Sequence, residues 1–357
     1  MHYVTQNLRR KVDHVRRLVL RNPQDYMVLD ESTIANLELV DSRSTAAGAK
    51  AATVLRTMDG SRTAMGSRLL RDWLLRPLND QARIVARHEA VQSLMDDRPR
   101  LRVLQEQLSG IRDIERLVAR IHSGSGTPRD VRAVGHSLAA LPPLKTVLME
   151  STSVRMQKLG AAVDLLPALC AWIDRALVVE PPALMKNGGV MREGYHDELD
   201  ELRVAASQGR QWLADFQVRE QERTGIKSLK VRYNKVFGYY IEVTKANSGD
   251  VPEDYIRTQS LVNAERYITP ELKEYENKIL GAQDRAVILE GALFQEVREG
   301  VGKELESLQG TAAAVAEADV LTGFAGLALE RDYVRPTMDD SLELVIRDGR
   351  HPVIEKL

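Results

Sequence analysis

Hydrophobic positions in two stretches of the chain step by three and four, and a shorter stretch between them alternates by two. Leu199, Leu202, Ala206, Gly209, Leu213 and Phe216 follow a 3-4-3-4-3 spacing. Leu272, Tyr275, Ile279, Ala282, Ala286, Leu289 and Leu293 continue it as 3-4-3-4-3-4. This is the spacing of a coiled-coil seam. The chain leaves along one seam and returns along the other, so their pairing is antiparallel. The outgoing seam covers about 18 residues, roughly 27 Å at 1.5 Å per residue. Thr269-Pro270-Glu271 supplies a capping hydroxyl, a proline at the first helical position and an acid at the positive end of the helix. The period carries on through Val297, Val301, Leu305 and Leu308. The returning helix is therefore expected to re-enter the helical body that precedes the arm, leaving that body discontinuous in sequence.

Between the seams, Leu229, Val231 and Tyr233 alternate with Lys230 and Arg232. Tyr239, Ile241 and Val243 alternate with Tyr240, Glu242 and Thr244. Both runs predict two-faced strands, joined by a loop over Asn234–Gly238, and residues 256–268 are expected to add a third.

Ahead of the arm the pattern is helical with short breaks. Asp30 and Thr63 are placed to cap helices, the first carrying Ile34 and Leu37, the second Leu69, Leu70, Trp73 and Leu74 up to Arg76-Pro77. Thr127-Pro128-Arg129-Asp130 is a further start signal. Gly124-Ser125-Gly126, Pro142-Pro143, Pro181-Pro182 and Asn187-Gly188-Gly189 read as breaks. The chain opens inside a helical pattern (Leu8, Val12, Val15, Val19). It closes on Gly349-Arg350-His351-Pro352-Val353-Ile354 after a strand-like run from Leu342 to Ile346, so it is expected to be a fragment of a longer protein. The fold class is mainly α: a discontinuous helical core with an inserted antiparallel coiled-coil arm, tipped by a small β-containing unit.

Composition narrows the chemistry. Hydrophobic residues are 43% of 357, enough for a core, and aromatics only 5%, as in helix-rich proteins. Net charge is −1, so any polyanion contact must rest on a local patch. Arg223 to Lys245 supplies one: six cations (Arg223, Lys227, Lys230, Arg232, Lys235, Lys245) against Glu242 alone. Residues 246–276 swing back, with seven acids against three cations. A nucleic-acid contact and a plain solvated face both fit those charges; Asn234, Lys235 and Gly238 add donors and a close-approach backbone suited to phosphate. The single Cys170, in an apolar context, excludes a disulfide scaffold and reads as a buried inert thiol. No membrane span and no signal peptide are expected. No phosphate-binding G-x-x-x-x-G-K-[ST] loop, no H-E-x-x-H and no thiolate metal site occurs, so no catalytic or metal-binding role is expected of these residues.

Longer motifs then add a resemblance. Residues 58–78, MDGSRTAMGSRLLRDWLLRPL, resemble the core-domain signature of the MutS family of DNA mismatch-recognition proteins. Gly188-Gly189-Val190, Gly194-Tyr195 and Glu198–Leu202 are similar to that family's entry to its clamp arm. Phe237–Val243 and Asn263–Lys273 are similar to its clamp, and Gly349–Val353 to the opening of its ATPase domain. The resemblance covers the whole chain in order. It implies a core (lever) domain over 1–185 and 291–338, a clamp over 186–290 with its β tip at 225–268, and the start of an ATPase domain over 339–357.

The function so implied is a DNA mismatch repair segment that grips duplex DNA by its backbone and relays ATP-driven motion, without catalysis of its own. Residues expected at phosphates are Lys227, Lys230, Arg232, Asn234, Lys235, Asn263 and Arg266; for Arg266 an ion pair with Glu265 or Glu271 competes. Tyr239, Tyr240 and Tyr267 are assigned to the clamp core. The resemblance further implies double-stranded DNA, a second subunit in a homodimer and a MutL-type partner. It places the protein in the bacterial cytoplasm at the nucleoid, with no cofactor on these residues and ATP with magnesium elsewhere in the family protein. Phe294-Gln295-Glu296 matches the family's Phe-x-Glu mismatch wedge only out of context. An architectural coiled-coil module binding protein, a relative acting on recombination intermediates, and a nuclease using acid clusters are the alternatives.

Overall fold

The structure is a computed structural model and describes residues 23–41, 53–234 and 238–356. The expected helix over residues 8–19 and the loop residue Lys235 lie outside the described residues. Two compact units are present, one of residues up to Asp174 together with Val297 onward, the other Arg175–Glu296.

The first unit contains α1 (Glu31–Asn36), α2 (Val54–Met58), α3 (Ala64–Leu75), α4 (Gln81–Asp96), α5 (Arg98–Ser109), α6 (Ile114–His122), α7 (Pro128–Met149), α8 (Val154–Ala162) and α9 (Pro167–Ala176). The capping signals act as their chemistry dictates. Asp30, Thr63 and Thr127 each accept a backbone N–H from the first turn of α1, α3 and α7, and Thr127 with Asp130 closes a reciprocal capping box. Pro142 and Pro143, expected to break the chain, lie inside α7. Both rings are on its exposed side, while Leu138, Leu141, Leu144 and Leu148 on the other side are buried completely. Burying four leucines outweighs the roughly 3 kcal/mol that an internal proline costs.

The seam that returns from the arm becomes α11 (Pro270–Lys303), followed after Glu304 by α12 (Leu305–Arg331). α12 is the hub of the first unit and packs against α3, α4, α5, α6 and α8. It is long and apolar enough to cross a membrane, contrary to the expectation that no stretch is. Its burial explains the composition: Leu308, Val315, Ala318, Leu321 and Ala325 are fully enclosed by the neighbouring helices. A charge sits among them. Asp319, fully buried, accepts the Arg62 and Thr63 N–H groups at 2.8 Å each and the Thr63 hydroxyl at 2.7 Å. Burial raises its pKa, against the pull of those three donors. The start of α3, within the 58–78 motif, is thereby fixed to the hub.

Cys170 is half-buried rather than buried, its thiol donating weakly to the Gly135 carbonyl at 3.7 Å; burial pushes its pKa up. Leu342, Leu344, Val345 and Ile346 are exposed and form no strand.

In the second unit, α10 (Asp197–Thr224) and α11 run antiparallel, as the seams require. Glu198 pairs with Arg285, Gly209 faces Ile279, Trp212 stacks on Tyr275 at 3.7 Å and Arg219 bonds Glu271 at 2.6 Å. At Gly209 the helices come so close that a Cβ would lie 2.2 Å from Ile279 Cγ1. Four strands cap the arm: β1 (Lys230–Asn234), β2 (Gly238–Thr244), β3 (Ile256–Ser260) and β4 (Ala264–Ile268). All pairs are antiparallel, in the order β1-β2-β4-β3. The single strand expected over 256–268 is thus a hairpin that turns at Leu261–Asn263. Phe294 is a buried side chain of α11, which removes the Phe-x-Glu coincidence from consideration as a wedge.

Replacing Asp319 by Ala strands the buried Thr63 N–H and hydroxyl, each worth about 1–3 kcal/mol, and frees the part-buried Arg62 N–H. The expected loss is on the order of 3 kcal/mol, read as a lower urea midpoint by helical circular dichroism; Asp319→Asn, which keeps one acceptor oxygen, loses less.

Candidate nucleic-acid interface

The sheet has one face on the arm and one away from it. Antiparallel register puts Val231, Ile241 and Tyr267 side by side, and Val243 beside Glu265. The apolar members of that face join Leu213 and Phe216 of α10, Leu272 and Ile279 of α11, and Ile226, Leu229 and Tyr255 in one buried cluster. Leu229, Ile241 and Val243 are wholly enclosed, each worth about 1.5–3 kcal/mol of burial. The same register puts Lys230, Glu242, Arg266 and Gln259 in one row across the opposite face, with Arg232 beside Tyr240 in the next.

That outer face carries four of the residues singled out from sequence, and they differ in freedom. Lys230 is exposed and its ammonium has no partner among the described residues. Arg232, half exposed, lies 3.4 Å from Glu242. Arg266 is mostly covered: its guanidinium lies 4.3 Å over the Tyr240 ring, donates to Gln259 at 2.7 Å and approaches the other Glu242 oxygen at 3.8 Å. Neither Glu265 nor Glu271 takes Arg266. Glu265 is held by Tyr267 and Arg257, and Glu271 by Arg219, because strand alternation turns Glu265 to the other face and Glu271 lies on the arm. The Tyr267 hydroxyl lowers the Glu265 pKa, while burial and that carboxylate push Tyr267 up to about 12. Asn234 closes β1 opposite Gly238. Tyr267 belongs to the buried cluster and Tyr239 packs against it, whereas Tyr240 is buried on the outer face beneath Arg266.

The end of the sheet opposite Glu276 forms a polar rim beside the last turns of α10, where Gln221 donates to the Lys227 carbonyl at 3.4 Å. Glu276 of α11 holds the first residues of β2, so Thr244, Lys230 and Ala264 stand at the opposite end. Lys227 and Asn263 are exposed there, the latter's carbonyl accepting the Lys245 N–H at 3.2 Å. Asn247 donates to Ser228 at 3.0 Å and to Thr244 at 3.3 Å, closing the rim. Lys245, counted in the sequence among the tip cations but given no role, belongs to this rim and is exposed. Arg223 is not available to the interface: it bonds Glu220 at 2.7 Å and Asp254 at 3.0 Å, which raises its pKa.

Three buried glutamates hold this unit together, and none was legible as a site residue. Glu290 accepts the Gly189, Val190 and Met191 N–H groups at 2.6–2.9 Å and one Arg203 nitrogen at 2.9 Å. Glu220 accepts the Tyr255 hydroxyl at 2.8 Å and the Arg223 guanidinium. Glu276 accepts the Tyr239 N–H at 2.9 Å and the Lys273 ammonium at 3.0 Å. No group of three or more His, Cys, Asp or Glu side chains among the described residues is arranged to hold a metal ion.

Together these features make a surface bearing exposed cations at the end of a paired-helix arm. Such a surface attracts a polyanion and orients it through donors to its phosphates. Comparison with known proteins is consistent in its direction. A profile described as MutS domain III matches residues 32–325. DNA mismatch repair proteins MutS from Alkaliphilus oremlandii, Symbiobacterium thermophilum and Chlorobaculum tepidum are 45%, 46% and 44% identical over 100%, 99% and 100% of the chain. The chain spans 40% of the length of each of these relatives.

Glu242 neutralises part of the outer face from its centre. Glu242→Gln is expected to elute from heparin at higher salt than the parent. Glu253→Gln, which removes an equal charge from an exposed position outside the row, is expected to shift elution less.

Proposed function

The chain belongs to the MutS domain III family, and from that premise we propose that it is the lever and clamp portion of a DNA mismatch repair protein. In this reading the tip grips duplex DNA by its phosphates, and the paired helices of the arm carry conformational change between the DNA and an ATP-driven motor. The observation that supports it best is the outer face and rim of the tip, where Lys227, Lys230 and Lys245 are exposed and none forms a salt bridge among the described residues. Phosphate contacts position a protein without reading bases, and ammonium groups on flexible stems suit that task. Tyr239, Tyr240 and Tyr267 are covered or packed, which favours backbone grip over base stacking.

The remaining parts of the reading come from the family. They are a second subunit closing the ring around DNA, a MutL-type repair partner, ATP and magnesium at the motor, and residence in the bacterial cytoplasm. On this proposal the described residues contribute binding and transmission and carry no chemical step.

Duplex binding by this chain is expected to weaken linearly in the logarithm of salt concentration. Each phosphate contact contributes a slope of about 0.9. Lys227→Glu with Lys230→Glu is expected to lower affinity by one to two orders of magnitude at low salt and to flatten the slope by about two. The losses are to be equal on duplexes of unrelated sequence, measured by fluorescence anisotropy. Binding that ignores salt and both substitutions overturns the proposal.

A further inference from the structure

Strand β1, which carries Lys230 and Arg232, is an edge of the sheet and pairs with β2, and the arm holds its free side by side chains rather than by a neighbouring strand. On the α10 side, Gln217 accepts the Val231 N–H at 2.8 Å and Gln221 donates to the Leu229 carbonyl at 2.7 Å. On the α11 side Glu276 holds the start of β2. Glu276, with its side chain 8% exposed, accepts the Tyr239 N–H at 2.9 Å and is itself held by Lys273 at 3.0 Å. Its carboxylate occupies the space where a side chain at residue 238 would begin: a Cβ there would lie 2.2 Å from Oε1. Gly238 has φ of +78°, so a glycine meets both demands at once, the left-handed turn and the seat for the carboxylate.

A negative charge in this place is out of character with a cationic tip. On charge alone it weakens attraction for a polyanion, and burying it costs free energy unless it is bonded. The bonds it makes show what it does locally: it fixes the start of β2, and through the β1–β2 register Arg232 opposite Tyr240 and Lys230 opposite Glu242.

We propose that Glu276 is a positioning residue, a pin from α11 that holds the β1–β2 hairpin in the orientation in which Lys230 and Arg232 meet a duplex. The inference rests on the DNA-binding reading above, but the pin itself can be observed without DNA. Glu276 makes no contact with phosphate; it acts through the backbone of Tyr239. Removing it therefore weakens binding although it removes a negative charge, which is the opposite sign to the electrostatic effect. Because no phosphate contact is lost, the salt slope stays that of the parent.

The test uses this chain with Glu276→Ala and Glu276→Gln, the latter keeping an acceptor oxygen for the Tyr239 N–H. Amide exchange is followed on residues 230–244 and duplex affinity across a salt series. Glu276→Ala is expected to expose the Tyr239 amide to exchange and to lower affinity about tenfold at an unchanged slope, while Glu276→Gln retains most of both. Gly238→Ala, which displaces the carboxylate, is expected to behave like Glu276→Ala. Affinity of Glu276→Ala equal to or greater than that of the parent overturns the proposal, as does continued protection of the Tyr239 amide. Failure of the parent chain to bind duplex at all sinks the DNA-binding reading instead, and the exchange arm still decides whether Glu276 pins the hairpin.

Discussion

The second unit depends on the close approach of α10 and α11. With no Cβ at Gly209, Ile279 seats against the facing backbone, and one turn further on Trp212 and Tyr275 stack at 3.7 Å. Small residues at one level and large rings at the next let two helices pack without voids. An isolated four-stranded sheet of short strands has little core of its own. Here the arm supplies four of its ten buried members, since Leu213, Phe216, Leu272 and Ile279 lie in the same cluster as Ile241 and Val243. Stalk and tip are therefore one packing problem, and weakening the seam near Gly209 reaches the sheet through Leu213 and Ile279.

Where hydrophobic packing ends, buried carboxylates take over. Asp319 ties the 58–78 motif to the hub helix; Glu290, Glu220 and Glu276 tie a loop, a tyrosine and a hairpin to the arm. Each is bonded by at least two donors, and three of them accept backbone N–H groups that would otherwise be stranded. Such bonds add direction that apolar contact lacks. An apolar cluster tolerates a tip rotated by some degrees, whereas a carboxylate aimed at one N–H does not.

Much of this architecture was legible because burying one face of a helix or strand dictates a period. The two seams and the alternation in β1 and β2 follow from that rule, and the capping residues from the unpaired N–H groups that every helix start presents. What escaped did so for physical reasons. The turn at Leu261–Asn263 carries Val262, 86% exposed, where a glycine or proline would have announced it, so two strands read as one. Pro142 and Pro143 read as a break because their exposed side of α7 was hidden from view. The ion pair of Arg266 with Glu242 depends on β4 pairing with β2, and a strand order of β1-β2-β4-β3 is not visible in local pattern. The anchoring glutamates did leave a trace. Glu220 falls where the outgoing seam calls for its next apolar residue, and Glu276 and Glu290 each directly follow a seam position two heptads apart. An acid at such a position either faces water or has found donors; the donors became visible only in three dimensions.

The same geometry separates the cations of the outer face by the work each can do. Arg266 is fixed by the Tyr240 ring, Gln259 and Glu242, and is mostly covered, so it contributes a standing field and moves little. Arg232 is half exposed and shares Glu242 at 3.4 Å, an exposed pair worth no more than about 1 kcal/mol. On the proposed reading, a phosphate arriving at the face can take the Arg232 guanidinium from Glu242 at small cost, leaving Glu242 facing Arg266 at 3.8 Å. Lys230 and the rim lysines break no bond to meet it. On the proposed reading the surface is thus graded, from free ammonium groups at the rim, through one exchangeable guanidinium, to one that stays in place. That grading suits a grip that closes and releases, because each contact made at the edge replaces water or a weak ion pair and none requires a buried bond to open.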